Sequence, residues 1–86
     1  MTGWSGPRLT LLMRKDCGLC DRAEGLLREL ALEYDLLDID GEPDLLPIYT
    51  DAIPVILSGG RELCRAPITR EGLLSALQSL NLNLRT

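Results

Sequence analysis

Leu9-Thr-Leu-Leu-Met13 is a compact apolar run, too short for a helix and of the right length for a buried strand. Beyond it the period changes. Ala23, Leu26, Leu27 and Leu30 fall at i, i+3, i+4 and i+7, with Arg22, Glu24, Arg28 and Glu29 in the remaining positions. This pattern predicts an amphipathic helix of about three turns, starting near Cys20. Gly25 sits inside it at a cost of roughly 1 kcal/mol relative to Ala, which suggests a close packing contact there. Leu32-Glu-Tyr-Asp-Leu36 then alternates apolar with acidic, and Leu37-Asp-Ile-Asp40 resumes the alternation after a one-residue slip. The pattern predicts a half-exposed edge strand with a bulge near Leu36-Leu37, its solvent face protected by Asp38 and Asp40. Strand, helix and strand at this spacing make a βαβ unit, hence a parallel pair with a right-handed crossover.

Gly41-Glu-Pro43 turns the chain into a short helix with Asp44 as its cap and Leu45, Leu46, Ile48 and Tyr49 as its apolar positions. That start places Pro47 at the third helical position, where the missing N–H is no loss. Val55-Ile-Leu57 and Arg61-Glu-Leu-Cys64 flank Ser58-Gly59-Gly60, a hairpin signature that makes the two strands antiparallel. Ala66-Pro67 ends the second strand. Thr69 caps a last helix, stapled by Ile68 and Leu73 and buried along Leu73, Leu74, Leu77 and Leu80. The order is βαβαββα in a single domain over residues 1–86, with loose tails at 1–7 and 81–86.

The chain has 86 residues, 45% hydrophobic and 26% charged, with no Phe and only Trp4, Tyr34 and Tyr49 as aromatics. Its core is therefore built from Leu, Ile, Val and Ala. A net charge of −4 with interspersed signs offers no electrostatic footprint for nucleic acid or anionic lipid. The first residues lack the basic and apolar regions of a signal peptide, and no apolar run reaches membrane-spanning length. Three cysteines fit a reducing cytoplasm better than an exported disulfide scaffold.

Two of those cysteines, in Asp16-Cys17-Gly18-Leu19-Cys20-Asp21, lie where the first strand gives way to the first helix. Positions i and i+3 share a helix face, so the two sulfurs come within bonding distance. A helix N-terminus also offers unpaired N–H groups and positive potential, which favour a thiolate. The pair reads as a redox dithiol. Two plain buried thiols would be the alternative, and a zinc site lacks ligands in a chain with no His and one further cysteine. Cys64, within a strand, reads as a small buried hydrophobe. Arg61, Arg65 and Arg70 read as solvated surface.

The element order, the Cys-x-x-Cys-Asp junction after the first strand, the Leu-rich first helix and the Ile53-Pro54-Val55 start of the third strand together resemble the glutaredoxin-like branch of the thioredoxin-fold superfamily. The resemblance covers about Leu9 to Leu80. It implies a minimal thioredoxin fold of α/β class, with a four-stranded mixed sheet and helices on both faces. It also implies that Cys17 is the nucleophile and Cys20 the resolving thiol of a thiol–disulfide oxidoreductase. Pro54 would be a cis-proline, and the Ile53 backbone would pair with a bound peptide or glutathione. Arg14, Lys15, Gly18, Leu19 and Arg65 complete the implied substrate contacts. No metal and no permanently bound cofactor is implied, and glutathione is a candidate co-substrate.

One departure concerns the stretch after the fourth strand. Where glutathione-binding relatives carry a Gly-Gly pair, this chain has Arg65-Ala-Pro-Ile-Thr69, so a glutathione carboxylate would rely on Arg65 or Arg70. The other concerns the family's basic residue just before the motif, represented here only by Arg14 and Lys15. The helix terminus and Arg14 or Lys15 raise the thiolate fraction of Cys17, while Asp16 and Asp21 oppose them, giving a moderate acidity. The reading is a cytoplasmic, monomeric thiol–disulfide oxidoreductase acting on a disulfide-containing protein or glutathione. The alternative is a non-catalytic module of the same fold that binds a partner protein or a glutathione-ligated iron–sulfur cluster.

Overall fold

The computed structural model describes residues 8–85, with side chains through residue 79. The elements run β1 (Leu9–Met13), α1 (Gly18–Glu29), β2 (Tyr34–Asp38), a one-turn 3-10 helix (Ile39–Gly41), α2 (Leu46–Tyr49), β3 (Val55–Ser58), β4 (Arg61–Arg65) and α3 (Arg70–Arg85). The strands form one sheet in the order β2-β1-β3-β4. β1 and β2 are parallel, whereas β3 runs antiparallel to both β1 and β4. The mixed four-stranded sheet expected from the sequence is what forms. No helix of the described residues is long and apolar enough to cross a membrane.

Alternation along β1 and β3 divides the core between two faces. Leu9, Leu11 and Ile56 meet Ala23 and Leu27 of α1 and Leu73 and Leu77 of α3. Leu12 and Val55 point the other way, where Ile39, Leu45, Leu46 and Tyr49 cover them. Helices thus lie on both faces. In α3, Leu73 and Leu77 are buried while Leu74, expected on the same stripe, is exposed, and the side chain of Leu80 lies outside the described residues. Ile48 of α2 likewise faces solvent.

Several local expectations are corrected. β2 pairs with β1 in unbroken register from Leu9↔Tyr34 to Met13↔Asp38, so there is no bulge at Leu36-Leu37. The irregularity lies in the hairpin, where Ile56 pairs with Cys64 but Leu57 pairs with Glu62, leaving Leu63 as the extra residue. The bulge lets neighbouring Leu63 and Cys64 both pack on the α1/α3 face, which strict alternation forbids. β2 lies at the sheet edge as expected, with Asp38 as its last residue, but Asp40 falls beyond the strand in the 3-10 helix. Asp38 Oδ1 accepts from the Asp40 N–H at 2.9 Å and caps the 3-10 helix, and Asp40 pairs with Arg14.

Asp44 does not cap α2. Leu45 holds that position without a side-chain bond, and Pro47 falls within the first turn, where no N–H is required of it. A Cβ at Gly25 would meet nothing within 4 Å, so close packing is not the reason for that glycine. The helical backbone of α3 also takes in residues 81–85, expected as tail, since neither Gly nor Pro interrupts the chain between Leu73 and Arg85. Thr69 behaves as expected, its Oγ1 accepting the Gly72 N–H at 3.0 Å. The expected tail at 1–7 lies outside the described residues.

Candidate active site

The strand register collects the site at one end of the sheet. Met13 is opposite Asp38, Leu12 opposite Val55, and Val55 opposite Arg65. The chain leaving β1, the chain leaving β2, the chain approaching β3 and the end of β4 therefore emerge together.

The β1–α1 connection is shaped by its backbone. Asp16 has φ 58°, a left-handed conformation that Asp tolerates better than most residues, and it turns the chain into Cys17. Cys17 is extended and forms the N-cap of α1. Its Sγ accepts the Cys20 N–H at 3.1 Å, and its carbonyl accepts the Asp21 N–H at 3.1 Å as the first helical bond. The helix therefore starts at Gly18, two residues before the apolar periodicity becomes visible. A cysteine sulfur occupies the position usually filled by a Ser, Thr or Asp oxygen, and the first turn directs its N–H groups toward it.

Cys17 and Cys20 are joined as a disulfide, with Cα atoms 5.2 Å apart. Their environments differ. Cys20 is 2% exposed, whereas Cys17 is only partly covered, next to exposed Gly18 and to Leu19 at 56% exposure. An incoming sulfur meets Cys17 first.

The Ile53–Pro54 bond is cis, as the resemblance implies, and Pro54 is buried at the mouth of β3. The Ile53 N–H donates to the Tyr49 carbonyl at 3.2 Å, so that donor is engaged inside the protein. Pro54 offers its carbonyl to the Ala66 N–H at 2.9 Å. A second cis bond, Ala66–Pro67, follows at once, a feature that no residue pattern announced.

Arg14, Arg65 and Arg70 are each engaged in an ion pair. Arg14 Nε lies 2.9 Å from Asp40 Oδ1. Arg65 reaches both carboxylate oxygens of Glu62, at 2.7 and 2.6 Å, and lowers the Glu62 pKa by that bond. Arg70 pairs with Glu29 at 2.7 Å. Lys15 is exposed in the turn before Asp16. The structure thus places Arg14, Lys15, Gly18, Leu19, Ile53, Pro54 and Arg65 at the dithiol end, but Arg14 and Arg65 face carboxylates of their own chain. The role of Asp40 as partner of Arg14 was hidden because the two lie in different connections.

Cys64 is half-buried in the α1/α3 core, and burial followed by the nearby Glu62 carboxylate pushes its thiol up to about 11. A chemistry that needs a thiolate at neutral pH does not draw on it. Among the described residues, no three or more His, Cys, Asp or Glu gather into a set that could hold a metal ion.

Comparison with known proteins follows the same lines. A family model described as a glutaredoxin-like domain (DUF836) matches residues 8–78. An uncharacterized protein of Mycobacterium tuberculosis is 37% identical over 67 residues, which span 67% of this chain and 69% of that protein. A structural-genomics target from X. campestris, solved by X-ray diffraction, is 33% identical with a TM-score of 0.75, over 83% of this chain and 96% of the other. The holo form of glutaredoxin C1 from Populus tremula x tremuloides has a TM-score of 0.60 at 22% identity, over 87% of this chain and 79% of that one. At that identity the last likeness speaks for the fold, a minimal thioredoxin fold, and for nothing finer.

Proposed function

The chain belongs to the glutaredoxin-like domain family, and from that footing we propose that it is a thiol–disulfide oxidoreductase with Cys17 as nucleophile and Cys20 as resolving thiol. The observation that carries the reading is the asymmetry of the pair. Cys17 caps the helix, accepts an N–H at its sulfur and is partly exposed, while Cys20 is buried behind it.

In the reduced protein the same Cys20 N–H and the positive end of α1 stabilise a Cys17 thiolate. The thiolate attacks one sulfur of a substrate disulfide. A Cys17–substrate bond forms, the substrate S–S bond breaks, and the departing thiolate takes up a proton. Cys20, deprotonated in turn, attacks Cys17 Sγ and releases the second substrate thiol. Two electrons pass to the substrate, and the protein is left with the Cys17–Cys20 disulfide. An external dithiol returns it to the reduced state.

The proposal includes a cytoplasmic, monomeric protein without a resident cofactor, acting on a disulfide in a protein or in glutathione. Three variants test it on a disulfide peptide with dithiothreitol as the external reductant. Wild type turns over and Cys17→Ser does not, whereas Cys20→Ser, pre-reduced and then freed of dithiothreitol, attacks once and accumulates a mixed disulfide on Cys17 visible by intact mass. A mixed disulfide that accumulates on Cys20 in the Cys17→Ser variant and not on Cys17 in Cys20→Ser overturns the assignment of roles, and an inert wild type favours a binding module.

A further inference from the structure

Resting on the oxidoreductase reading, we infer that the dithiol selects a cationic polypeptide disulfide and disfavours glutathione disulfide. The sheet register brings two connections to the dithiol end, residues 14–22 leaving β1 and residues 39–54 joining β2 to β3. They hold Asp16, Asp21, Asp40, Glu42, Asp44 and Asp51 against Arg14, Lys15 and Arg22. Arg14 is neutralised by Asp40, and Arg65, which ends β4 on the same side, is neutralised by Glu62. Arg70 is held by Glu29. The acids therefore dominate the field that an approaching disulfide meets.

Glutathione disulfide carries a net charge of about −2 at neutral pH, from four carboxylates and two ammonium groups. Holding it requires cations or backbone donors, and here Arg14 and Arg65 are committed to Asp40 and Glu62, while exposed Lys15 and Arg22 are outnumbered by Asp16, Asp21, Glu42, Asp44 and Asp51. The Ile53 N–H is given to Tyr49, the Ala66 N–H to Pro54, and Pro67 has none. A polypeptide disulfide flanked by Lys or Arg meets the opposite situation. Its charges are attracted by the acidic connections, and Leu19, 56% exposed between the two cysteines, offers an apolar contact beside the reacting sulfur.

The electron balance is that of the exchange above. The substrate disulfide gains two electrons and two protons, and the reduced Cys17/Cys20 pair becomes the disulfide.

The test is a single-turnover comparison of the pre-reduced protein on four disulfides at low and high ionic strength. These are a Lys-flanked disulfide peptide, the same peptide with Glu flanks, glutathione disulfide, and neutral bis(2-hydroxyethyl) disulfide. At low salt the Lys-flanked peptide should react roughly tenfold faster or more than the Glu-flanked peptide and glutathione disulfide, and the gap should close at high salt. In the Asp16→Asn/Asp51→Asn variant the ratio of the Lys-flanked rate to the neutral rate should fall. Asn tolerates the left-handed backbone at position 16, so the turn into Cys17 is kept. Equal rates for the peptides, or glutathione disulfide matching the Lys-flanked peptide at low salt, overturns the inference while leaving the oxidoreductase reading intact. Failure to reduce any of the four, the neutral disulfide included, overturns that reading itself.

Discussion

The three cysteines sit in three environments, and the environments assign their chemistry. Cys17 receives a helical N–H at its sulfur, Cys20 is sealed beneath it, and Cys64 is enclosed by the α1/α3 core. For Cys64 the consequence is measurable. Its thiol is pushed up from 9.0 to about 11, so the fold favours the protonated form. That contribution to stability is complete below the unfolded value near 9 and is lost as pH rises toward 11. The stability difference between wild type and Cys64→Ala in urea should therefore be constant from about pH 7 to 8 and fall to the disadvantage of wild type above about pH 9. A difference that does not change with pH would remove the burial argument. At this scale the sequence shows the dithiol plainly, because Cys spacing and the change of hydrophobic period coincide there. It does not show that Arg14 meets Asp40 or that Arg65 is held by Glu62, since pairing among surface charges depends on where side chains finish.

At the scale of elements, the start of α1 and the turn that follows it differ most from the hydrophobic pattern. Its start escaped the periodicity because Gly18 and Leu19 face solvent and contribute nothing to an apolar stripe. Its end falls where the periodicity stops, at Glu29 with Leu30 as C-cap, but the turn at Ala31, φ 56°, carries no Gly to announce it, so the next strand was read from Leu32 and begins at Tyr34. Ala31 N–H bonds to the Arg28 carbonyl and Leu32 N–H to the Leu27 carbonyl, both at 3.0 Å, the pattern of a left-handed C-cap. Leu32 then packs on the same core as Leu27, which is why it looked like the first residue of a strand. Beyond it, Tyr34 donates to Glu24 at 2.8 Å and accepts from Arg28 at 3.0 Å, tying β2 to the helix.

Two substitutions in opposite directions follow from this helix. Ala31→Gly relieves the left-handed Cβ and should raise stability by about 1 kcal/mol. Gly25→Ala fills open space in the helix interior and should raise it by a similar amount, about 1 kcal/mol. Denaturant unfolding measures both, and a loss of stability in either variant contradicts the corresponding backbone assignment.

Across the whole molecule, the chain order and alternation of β1 and β3 specify a two-faced sheet, and that architecture delivers the β1–α1 junction, the cis Ile53–Pro54 bond and the end of β4 to one side. This much was legible because β1 and β3 are short apolar runs bounded by turn residues, and the resemblance carried by Cys17-x-x-Cys20 and Ile53-Pro54 supplied the rest. The extra residue at Leu63 and the second cis bond at Pro67 were not, because each depends on how β4 settles against β3 and α3. The chemistry proposed for this fold is reversible exchange confined to Cys17 and Cys20. The most direct measurement equilibrates the protein in mixtures of reduced and oxidised dithiothreitol, quenches with an alkylating agent, and locates the modified cysteines by mass. The expected result is one reversible two-electron transition of the Cys17/Cys20 pair, its ratio changing tenfold per about 30 mV, with Cys64 in the thiol form throughout. A pair that does not interconvert, or a transition that draws in Cys64, would contradict it.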